Sequence, residues 1–382
     1  MRMNRIRSFL LIALLILVVI SFLKGSNSGI QEWGQPYWLI DYGHGFVKRG
    51  LVGQLFGWVT SGNSLDKKWN SVMHVHLASC ILLLTGLSLW ACRISIDLTT
   101  IVVLSVFVSS QFSPTLAYIT GYLDVYLYIL LGVSMFSVAH GWFLPAVVLG
   151  FIAPFIHESY VFPWMTLPTL LIRARLGCTR ETMSKSALVV MSPLAASIAV
   201  SVIHSPSAIR DVVAKLPLSE VVKDGLMRYQ FGQTIQSSLS IMASKMLVSG
   251  GNLLICLIFF GLPTVLILLT YINGRELTTR EKALIWLASC APITILGLAW
   301  DLSRFIVMTN ICALFSVFFV ETAWRPRRKT LPRTMTIAVG VLTIGYLASP
   351  FVYTYFENAH EFRPEWLPVR PALFWLFSTV YR

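Results

Sequence analysis

A short segment near the N-terminus places a carboxylate, an imidazole and two adjacent cations close together along the chain. Its sequence is Asp41-Tyr-Gly-His44-Gly-Phe-Val-Lys48-Arg49-Gly50. The glycines let the backbone turn tightly and approach a ligand closely. Asp41 could act as a general base toward a hydroxyl group, while His44, Lys48 and Arg49 could bind a phosphate-bearing substrate. Alternatively, the two cations contact lipid headgroups and Asp41 pairs with them.

A second candidate catalytic acid, Asp124, interrupts an apolar segment. We predict that it lies about two turns inside a helix, with Thr120 and Tyr128 on the same face. A carboxylate at that depth must face protein or water. The alternative to a catalytic role is a buried hydrogen bond between helices.

Two further pairs of polar residues lie at the ends of apolar segments. His157 and the candidate catalytic acid Glu158 could ligate a divalent metal, stabilise an oxocarbenium-like centre, or cap a helix. Two adjacent ligands do not define a metal site, and no cysteine or histidine spacing resembles a zinc site. Asp301 and Arg304 are three residues apart, so they either form an ion pair or orient Arg304 toward a phosphate.

Composition indicates the kind of scaffold that must position these residues. The 382 residues are 56% hydrophobic and 12% charged, and the mean hydropathy is +0.72, values typical of an integral membrane protein. We predict an all-α polytopic bundle of about eleven transmembrane helices, forming one transmembrane domain over residues 1–382. The predicted spans are approximately 8–23, 72–91, 98–112, 116–138, 142–156, 160–172, 186–203, 250–271, 283–299, 303–320 and 334–351.

The distribution of Lys and Arg predicts the orientation of these helices. Basic residues concentrate in cytoplasmic loops, and Arg2, Arg5 and Arg7 therefore place the N-terminus in the cytoplasm. The other cytoplasmic loops are then Arg93, Arg173–Lys185, Arg275–Lys282 and Arg325–Arg333, and the tail from Val352 lies outside. This threading places every unusual acidic residue at the outer face, and the residues concerned are Asp41, Asp124, Glu158 and Asp301.

Two predicted outer loops, 24–71 and 204–249, are too long to be simple connections. The apolar residues Leu51, Leu55 and Trp58 have helical spacing, so we predict helices lying in the membrane interface. The net charge of +13 does not indicate nucleic-acid binding, because the basic residues are spread over loop ends. Membrane topology and anionic lipid headgroups account for most of it.

The first-loop motif, the long outer loops and the cytoplasmic N-terminus together resemble the GT-C class of polytopic membrane glycosyltransferases. The resemblance implies transfer of a sugar from a polyprenyl-phosphate-linked donor to a cell-envelope glycan, lipid or protein acceptor. Asp41 would deprotonate the acceptor, and Lys48, Arg49 or Arg304 would hold the donor phosphate. The reaction would take place at the outer face of a bacterial inner membrane. The sequence requires no cofactor and leaves a divalent metal open.

Two other classes of membrane protein are the alternatives. A glycan polymerase or ligase of the O-antigen type would share a basic outer site but would use Arg or His in place of the acidic base. A secondary transporter or lipid flippase is the alternative without catalysis. Neither an inverted repeat nor a pair of broken midplane helices is apparent in the sequence to favour a transporter.

Overall fold

The computed structural model is built almost entirely from helices. It describes residues 30–43, 46, 49–94, 97–157, 161–177, 179–203, 206–227, 257–293, 302–348, 351–355 and 358–361, together with Ile12, Ile16, Val19 and Phe22. The predicted span 8–23 lies outside the described residues except for these last four, which are helical. Within the described part of the chain, β structure consists of one short antiparallel hairpin, β1 (Phe351–Tyr355) and β2 (Asn358–Glu361), and an isolated bridge between Arg275 and Arg328.

Fifteen α-helices are described, and we number them in chain order. They are α1 (Pro36–Leu39), α2 (Gly50–Val59), α3 (Leu65–Arg93), α4 (Leu98–Ser109), α5 (Phe112–Tyr118), α6 (Asp124–Ala139), α7 (Phe143–Ile156), α8 (Val161–Leu176), α9 (Arg180–Ile203), α10 (Pro206–Lys215), α11 (Glu220–Gly225), α12 (Leu262–Asn273), α13 (Thr279–Cys290), α14 (Leu302–Ala323) and α15 (Arg333–Ala348). A 3-10 turn, Glu32–Gly34, precedes α1, and a π-helical turn, Leu257–Gly261, precedes α12.

Four helical segments in the described residues are long and apolar enough to cross a membrane. They are Leu65–Arg93, Leu98–Tyr118, Arg180–Ile203 and Arg304–Ala323. Helices α2, α6, α7 and α12 are apolar but shorter than the ~20 residues of a straight crossing. The prediction of a helical membrane protein is therefore confirmed at the level of the scaffold, whereas the count of eleven spans stays a prediction.

Helix α14 lies at the centre of the bundle. Its apolar window is 94% buried, whereas those of α3 and α9 are 28% buried. A helix that is apolar on every side is stable only where protein surrounds it or lipid does. Helix α14 packs against α6, α8, α12 and α13, so it forms the core, and the exposed apolar faces of α3 and α9 lie at the periphery.

A helix break at 119–123 anchors the first predicted outer loop. Gly121 has a φ of +97°, a left-handed conformation that glycine adopts without a Cβ clash. The Gln31 amide donates to the Thr120 carbonyl at 3.0 Å, and the Trp38 indole N–H donates to the Gly121 carbonyl at 2.7 Å. Helix α1 is thereby held over the end of the bundle, between α5 and α6.

The two predicted outer loops pack against each other. Ser219 at the start of α11 donates to the Glu32 carboxylate at 2.5 Å, and an apolar cluster joins the segment after α1 to helices α10 and α11. The buried members of this cluster are Ile40, Val212, Val213, Leu216, Val222 and Leu226. The prediction of short helices in both loops is confirmed for the residues described.

Helix α2 exposes the apolar side chains expected of a helix lying in the membrane interface. Leu55, Trp58 and Val59 are 49%, 68% and 83% exposed, whereas Phe56 is buried against the bundle. Exposed apolar residues on one helix are typical of a surface that contacts lipid.

Three of the predicted cytoplasmic loops, at Arg93, Arg275–Lys282 and Arg325–Arg333, meet at the opposite end of the bundle. Arg275 and Arg328 both contact Asp97, which precedes α4, and Arg93, Arg325 and Arg328 line one cavity. We call this the Arg275 end and the end that carries α1 the Arg304 end. Helix α14 connects the two ends, and its residues 304 and 321 lie about 26 Å apart along the helix axis.

Candidate functional site

A buried ion pair, Asp124 with Arg304, lies at the Arg304 end. The Arg304 Nη2 contacts Asp124 Oδ2 at 2.9 Å and Oδ1 at 3.1 Å, and its Nε contacts Oδ1 at 3.3 Å. Asp124 is 2% exposed and Arg304 is 9% exposed. The planar guanidinium thus binds both carboxylate oxygens, the geometry that makes Arg–carboxylate pairs strong and directional.

The predicted position of Asp124 two turns inside a helix is wrong. Helix α5 ends at Tyr118 and α6 begins at Asp124, because the left-handed Gly121 interrupts the helix. Thr120 lies in the break and donates to the Ala117 carbonyl, so it shares no helix face with Asp124. The first turn of α6 favours a carboxylate, since unpaired backbone N–H groups make that end of a helix electropositive.

Aromatic side chains extend from this ion pair toward the first loop. The Arg304 Cζ lies 4.8 Å from the centroid of the Tyr122 ring, a cation–π geometry. Tyr37 on α1 lies 5.9 Å from Tyr122 and 6.2 Å from His157, centroid to centroid. His157 is buried at the end of α7. Residues from four separated segments therefore form one continuous group.

Arg49 completes this group from the first-loop motif. Its Nη1 donates to the Tyr37 hydroxyl at 3.0 Å, and its Cζ lies 5.5 Å from the Tyr37 ring centroid. Arg49 also has a φ of 62°, which is unfavourable for a residue other than glycine and persists only where the surroundings enforce it. The strained backbone places a cation above the aromatic group.

Asp41 lies in the same loop as Arg49, in a turn held from two sides. Its Oδ1 accepts from the Gly43 amide at 2.9 Å, the Tyr42 amide donates to Gln54 of α2 at 3.0 Å, and the Tyr42 ring stacks on Phe46 at 5.0 Å. Phe46 in turn contacts Phe155 of α7. Asp41 is half-buried, and no cation in the described part of the chain forms an ion pair with it.

The Tyr42 hydroxyl is a second polar group available next to Asp41. Its oxygen is buried and has no hydrogen-bond partner among the described residues. Burial raises the pKa of Tyr42 to about 12, so the hydroxyl stays protonated at neutral pH and can donate. A buried donor without a partner is costly, which is the condition expected where a ligand supplies the missing acceptor.

Four of the predicted site residues lie outside the described residues. They are His44, Lys48, Glu158 and Asp301, and Asp301 was also the predicted ion-pair partner of Arg304. The carboxylate that binds Arg304 in the described structure is Asp124. Of the predicted site residues that are described, the structure brings Asp124, Arg304, Arg49 and His157 into one group, with Asp41 in the adjoining turn.

A buried histidine near Asp124 was missed from the sequence. His74 and His76 both lie in α3, and His74 is exposed. His76 is 2% exposed, and its Nε2 bonds to the Leu116 carbonyl at 2.9 Å. A carbonyl can only accept, so Nε2 carries the proton and Nδ1 is an acceptor, which has no partner among the described residues. Residues two positions apart on a helix point to different faces. The sequence does not say which of the two histidines faces the bundle, and packing decides it.

A second buried charge network lies at the Arg275 end. Arg275 is fully buried and contacts Glu321 at 2.6 Å and Asp97 at 2.8 Å, and Tyr271 donates to Glu321 at 2.8 Å. Arg328 reaches Asp97 at 3.5 Å. The prediction that all unusual acidic residues lie at one end is therefore wrong, because Asp97 and Glu321 lie at the other.

This second network is held together by mutual charge stabilisation. Burial opposes ionisation of Asp97, but hydrogen bonds from Arg275 and the Thr100 amide outweigh it and hold the pKa of the carboxyl below its ordinary value. Burial also disfavours the Arg275 cation, but Asp97 and Glu321 raise its pKa further. All three guanidinium nitrogens of Arg275 bond to neighbouring residues, which is typical of a structural role.

The described residues that were searched contain no group of three or more His, Cys, Asp or Glu side chains able to hold a metal ion. His157 is described and contacts Tyr37, whereas its neighbour Glu158 is outside the description. The described part of the chain therefore offers no third protein ligand for a metal ion at His157 and Glu158.

The fold and this site define a helical membrane protein with a buried ion pair and an aromatic group at one end, beneath a docked loop. The chain matches no protein-family model, no curated protein and no solved structure. Functional inference therefore depends on the chemistry of these side chains.

Proposed function

We propose that this protein is a membrane glycosyltransferase that moves a sugar from a polyprenyl-phosphate-linked donor to a cell-envelope acceptor. In this proposal the chain crosses a bacterial inner membrane about eleven times, with its N-terminus in the cytoplasm and the Arg304 end facing the periplasm. The observation that carries the proposal is the docking of the first loop at the Arg304 end of the bundle. Arg49 lies there on the buried aromatic group, and the half-buried Asp41 lies in a turn of the same loop that Gln54 of α2 holds.

Asp41 has the better geometry for the general base. Asp124 is bound through both oxygens to Arg304, so accepting a proton would break a buried ion pair. Asp41 uses Oδ1 for the Gly43 amide, and no described residue bonds to its Oδ2. The free Oδ2 is the atom to which we assign the proton of the acceptor hydroxyl.

We assign different roles to the two arginines, Arg304 and Arg49. Asp124 neutralises Arg304, so we assign Arg304 to positioning Tyr122 and, through the Tyr122–Tyr37 contact, helix α1. Arg49 donates to the Tyr37 hydroxyl and lies over the Tyr37 ring, so it borders the aromatic group at the first loop, and we assign it to the donor phosphate. Lys48, its neighbour in the sequence, would assist.

The proposed reaction is an inverting displacement. The acceptor hydroxyl loses its proton to Asp41, and its oxygen attacks the anomeric carbon. The bond between that carbon and the donor phosphate oxygen breaks, and polyprenyl phosphate leaves with the electron pair. General base assistance contributes ~10²–10⁴-fold to such a rate, and a cation held at the leaving phosphate in a partly dry site adds electrostatic stabilisation.

An apolar groove beside α7 fits the prenyl chain of the donor. The groove has a volume of about 460 Å³ and is lined by Val147, Val148, Phe151, Ile152, Leu188, Met191 and Ser192. Phe151 and Leu188 are 47% and 61% exposed, so the groove opens to the bundle surface between α7 and α9. Helix α7 ends at His157, and Phe151 lies about 9 Å from it along the axis, so a chain in this groove would lead its phosphate toward the site.

The test is mass spectrometry of cell-envelope glycans from a deletion strain complemented with the wild type, Asp41→Asn or Asp66→Asn. Asp66 is exposed at the start of α3 in the same predicted loop, so it is a matched control for the chemical change. We expect one sugar mass to be absent in the deletion, restored by the wild type and Asp66→Asn, and still absent with membrane-inserted Asp41→Asn.

The other outcomes separate the alternative functions. Restoration by Asp41→Asn would remove the acidic base and favour a polymerase or ligase driven by Arg or His. An unchanged glycan profile in the deletion strain would contradict the transferase, and transport assays would then follow.

A further inference from the structure

A cavity at the Arg275 end lies far from the proposed transferase site. It has a volume of about 590 Å³, within the range of ~300–1,000 Å³ typical of small-ligand sites. The ends of α3, α6 and α14 and the segment after α14 enclose it. Its lining residues are Trp90, Cys92, Arg93, Ile94, Phe136, His140, Glu321, Thr322, Arg325, Pro326 and Arg328.

The charges around this cavity do not balance. Glu321 is the acidic residue in the lining, and it is already bound by Arg275 and Tyr271. Asp97 pairs with Arg275 and Arg328, so these two carboxylates and two guanidinium groups compensate each other. Arg93 and Arg325 remain, and neither forms an ion pair with a carboxylate in the described part of the chain. The cavity therefore carries a surplus of two positive charges.

Arg325 occupies a backbone position that normally belongs to glycine. Its φ is 49°, and its amide donates to the Val320 carbonyl at 3.0 Å as α14 ends. Helices commonly finish in this left-handed conformation with glycine, since a Cβ is strained there. Glycine would adopt this backbone conformation without strain. Arginine at this position instead supplies a guanidinium group at the rim of the cavity.

Rigid aromatic side chains form the wall behind these cations. Trp90 donates its indole N–H to the Thr322 hydroxyl at 3.0 Å, and Phe136 lies 4.1 Å from His140, centroid to centroid. The Arg93 Cζ lies 5.7 Å from the Phe136 ring centroid, so a cation–π contact orients it. The Nδ1 of His140 bonds to the Phe136 carbonyl at 2.8 Å, which leaves Nε2 for a ligand.

We infer that this cavity is a binding site for a phosphate group, supplied by an anionic lipid headgroup or by a soluble phosphate compound. Two surplus guanidinium groups can compensate the single negative charge of a lipid phosphodiester or the charge of about −1.5 to −2 that a phosphate monoester carries at neutral pH. Arginine is also the side chain best suited to bidentate phosphate binding. Basic cavities between helix ends are where membrane proteins bind phospholipid headgroups.

The inference is tested on the full-length protein purified in a non-ionic detergent, with Arg325→Gly, Arg93→Gln and Arg327→Gln. Arg327 is exposed in the same loop and lies outside the cavity lining, so Arg327→Gln matches the loss of one charge. Arg325→Gly relieves the strained backbone, so we expect it to fold at least as stably as the wild type. Phosphatidylglycerol adducts are counted by native mass spectrometry, and inorganic phosphate and pyrophosphate are titrated in a thermal-shift assay.

We expect Arg325→Gly and Arg93→Gln to weaken binding about tenfold or more, as loss of a charge-assisted contact does, and Arg327→Gln to bind as the wild type does. A loss confined to phosphatidylglycerol identifies a headgroup site. A loss confined to the soluble anions identifies a site for a soluble phosphate compound. If both cavity variants behave like Arg327→Gln with every probe, the cavity does not bind phosphate and the inference is overturned.

Discussion

The two buried arginines of this protein show how burial separates structural charges from charges available for chemistry. Among the described residues, Asp124 binds Arg304, and Asp97 and Glu321 bind Arg275, so each guanidinium is compensated where water is scarce. Arg49 lies in the first loop and donates to the Tyr37 hydroxyl, and Arg325 is exposed at the rim of the cavity at the Arg275 end. Those two arginines are the ones to which we assign anion binding.

At the residue scale, the ion pair between Asp124 and Arg304 predicts a coupled loss of stability. We expect Arg304→Gln or Asp124→Asn alone to destabilise the protein by about 3–5 kcal/mol, because each removes one partner of a buried ion pair. The double variant should recover part of that loss, since neither charge then remains. Thermal unfolding in detergent measures this, with Asp66→Asn as an exposed control.

Strict additivity of the two single changes would contradict this prediction. Residues in direct contact are expected to show an interaction energy in such a cycle, whereas independent residues are not.

At the element scale, the site depends on close contact between helices α1 and α2. Gly53 of α2 faces the backbone at Ile40, next to Asp41, and a Cβ at Gly53 would lie 2.0 Å from the Ile40 carbonyl oxygen. Gly57 is one turn further along the same helix, and a Cβ there would meet nothing within 4 Å. The helix thus contains a glycine that the packing requires and one that it does not.

These two glycines predict opposite effects of the same substitution. We expect Gly57→Ala to be neutral or stabilising by up to about 1 kcal/mol, because alanine favours a helix over glycine. We expect Gly53→Ala to be destabilising by about 1–3 kcal/mol, as overpacking typically is, and to impair glycan restoration because the Asp41 turn must move. Thermal unfolding and the complementation assay measure both effects, and equal behaviour of the two variants would show that α2 does not position Asp41.

At the scale of the whole molecule, helix α14 joins two polar centres through an apolar core. Arg304 lies near the start of α14 and Glu321 near its end. The apolar segment of the helix is almost completely buried. Basic loops at Arg93, Arg275–Lys282 and Arg325–Arg333 meet at the Glu321 side, so in the proposed threading that side faces the cytoplasm.

This orientation predicts a one-sided reactivity of Cys92. The thiol is exposed and lines the cavity at the Arg275 end. In a variant whose other cysteines are replaced by serine or alanine, we expect a membrane-impermeant maleimide to label Cys92 in inside-out vesicles and not in intact spheroplasts. Ser61→Cys, placed in the exposed turn between α2 and α3 of a chain lacking all native cysteines, should show the reverse pattern. Labelling of both positions from the same side would contradict the proposed threading.

The sequence by itself determined the helical class, the helices in the two long loops and the grouping of the basic loops at one end, because these features follow from local hydropathy and charge. It also identified Asp41, Arg49, Asp124, His157 and Arg304 as unusual residues. Which residues meet was decided by the tertiary structure alone. Asp124 and Arg304 are 180 positions apart, and hydropathy reports that a residue is buried but not what it contacts. The left-handed turn at Gly121 moved Asp124 from a helix interior to a helix start, and the packing of α3 buried His76 beside it. The tertiary structure also brings Asp97 and Glu321 to Arg275. A buried charge is stable only where another segment supplies the opposite charge.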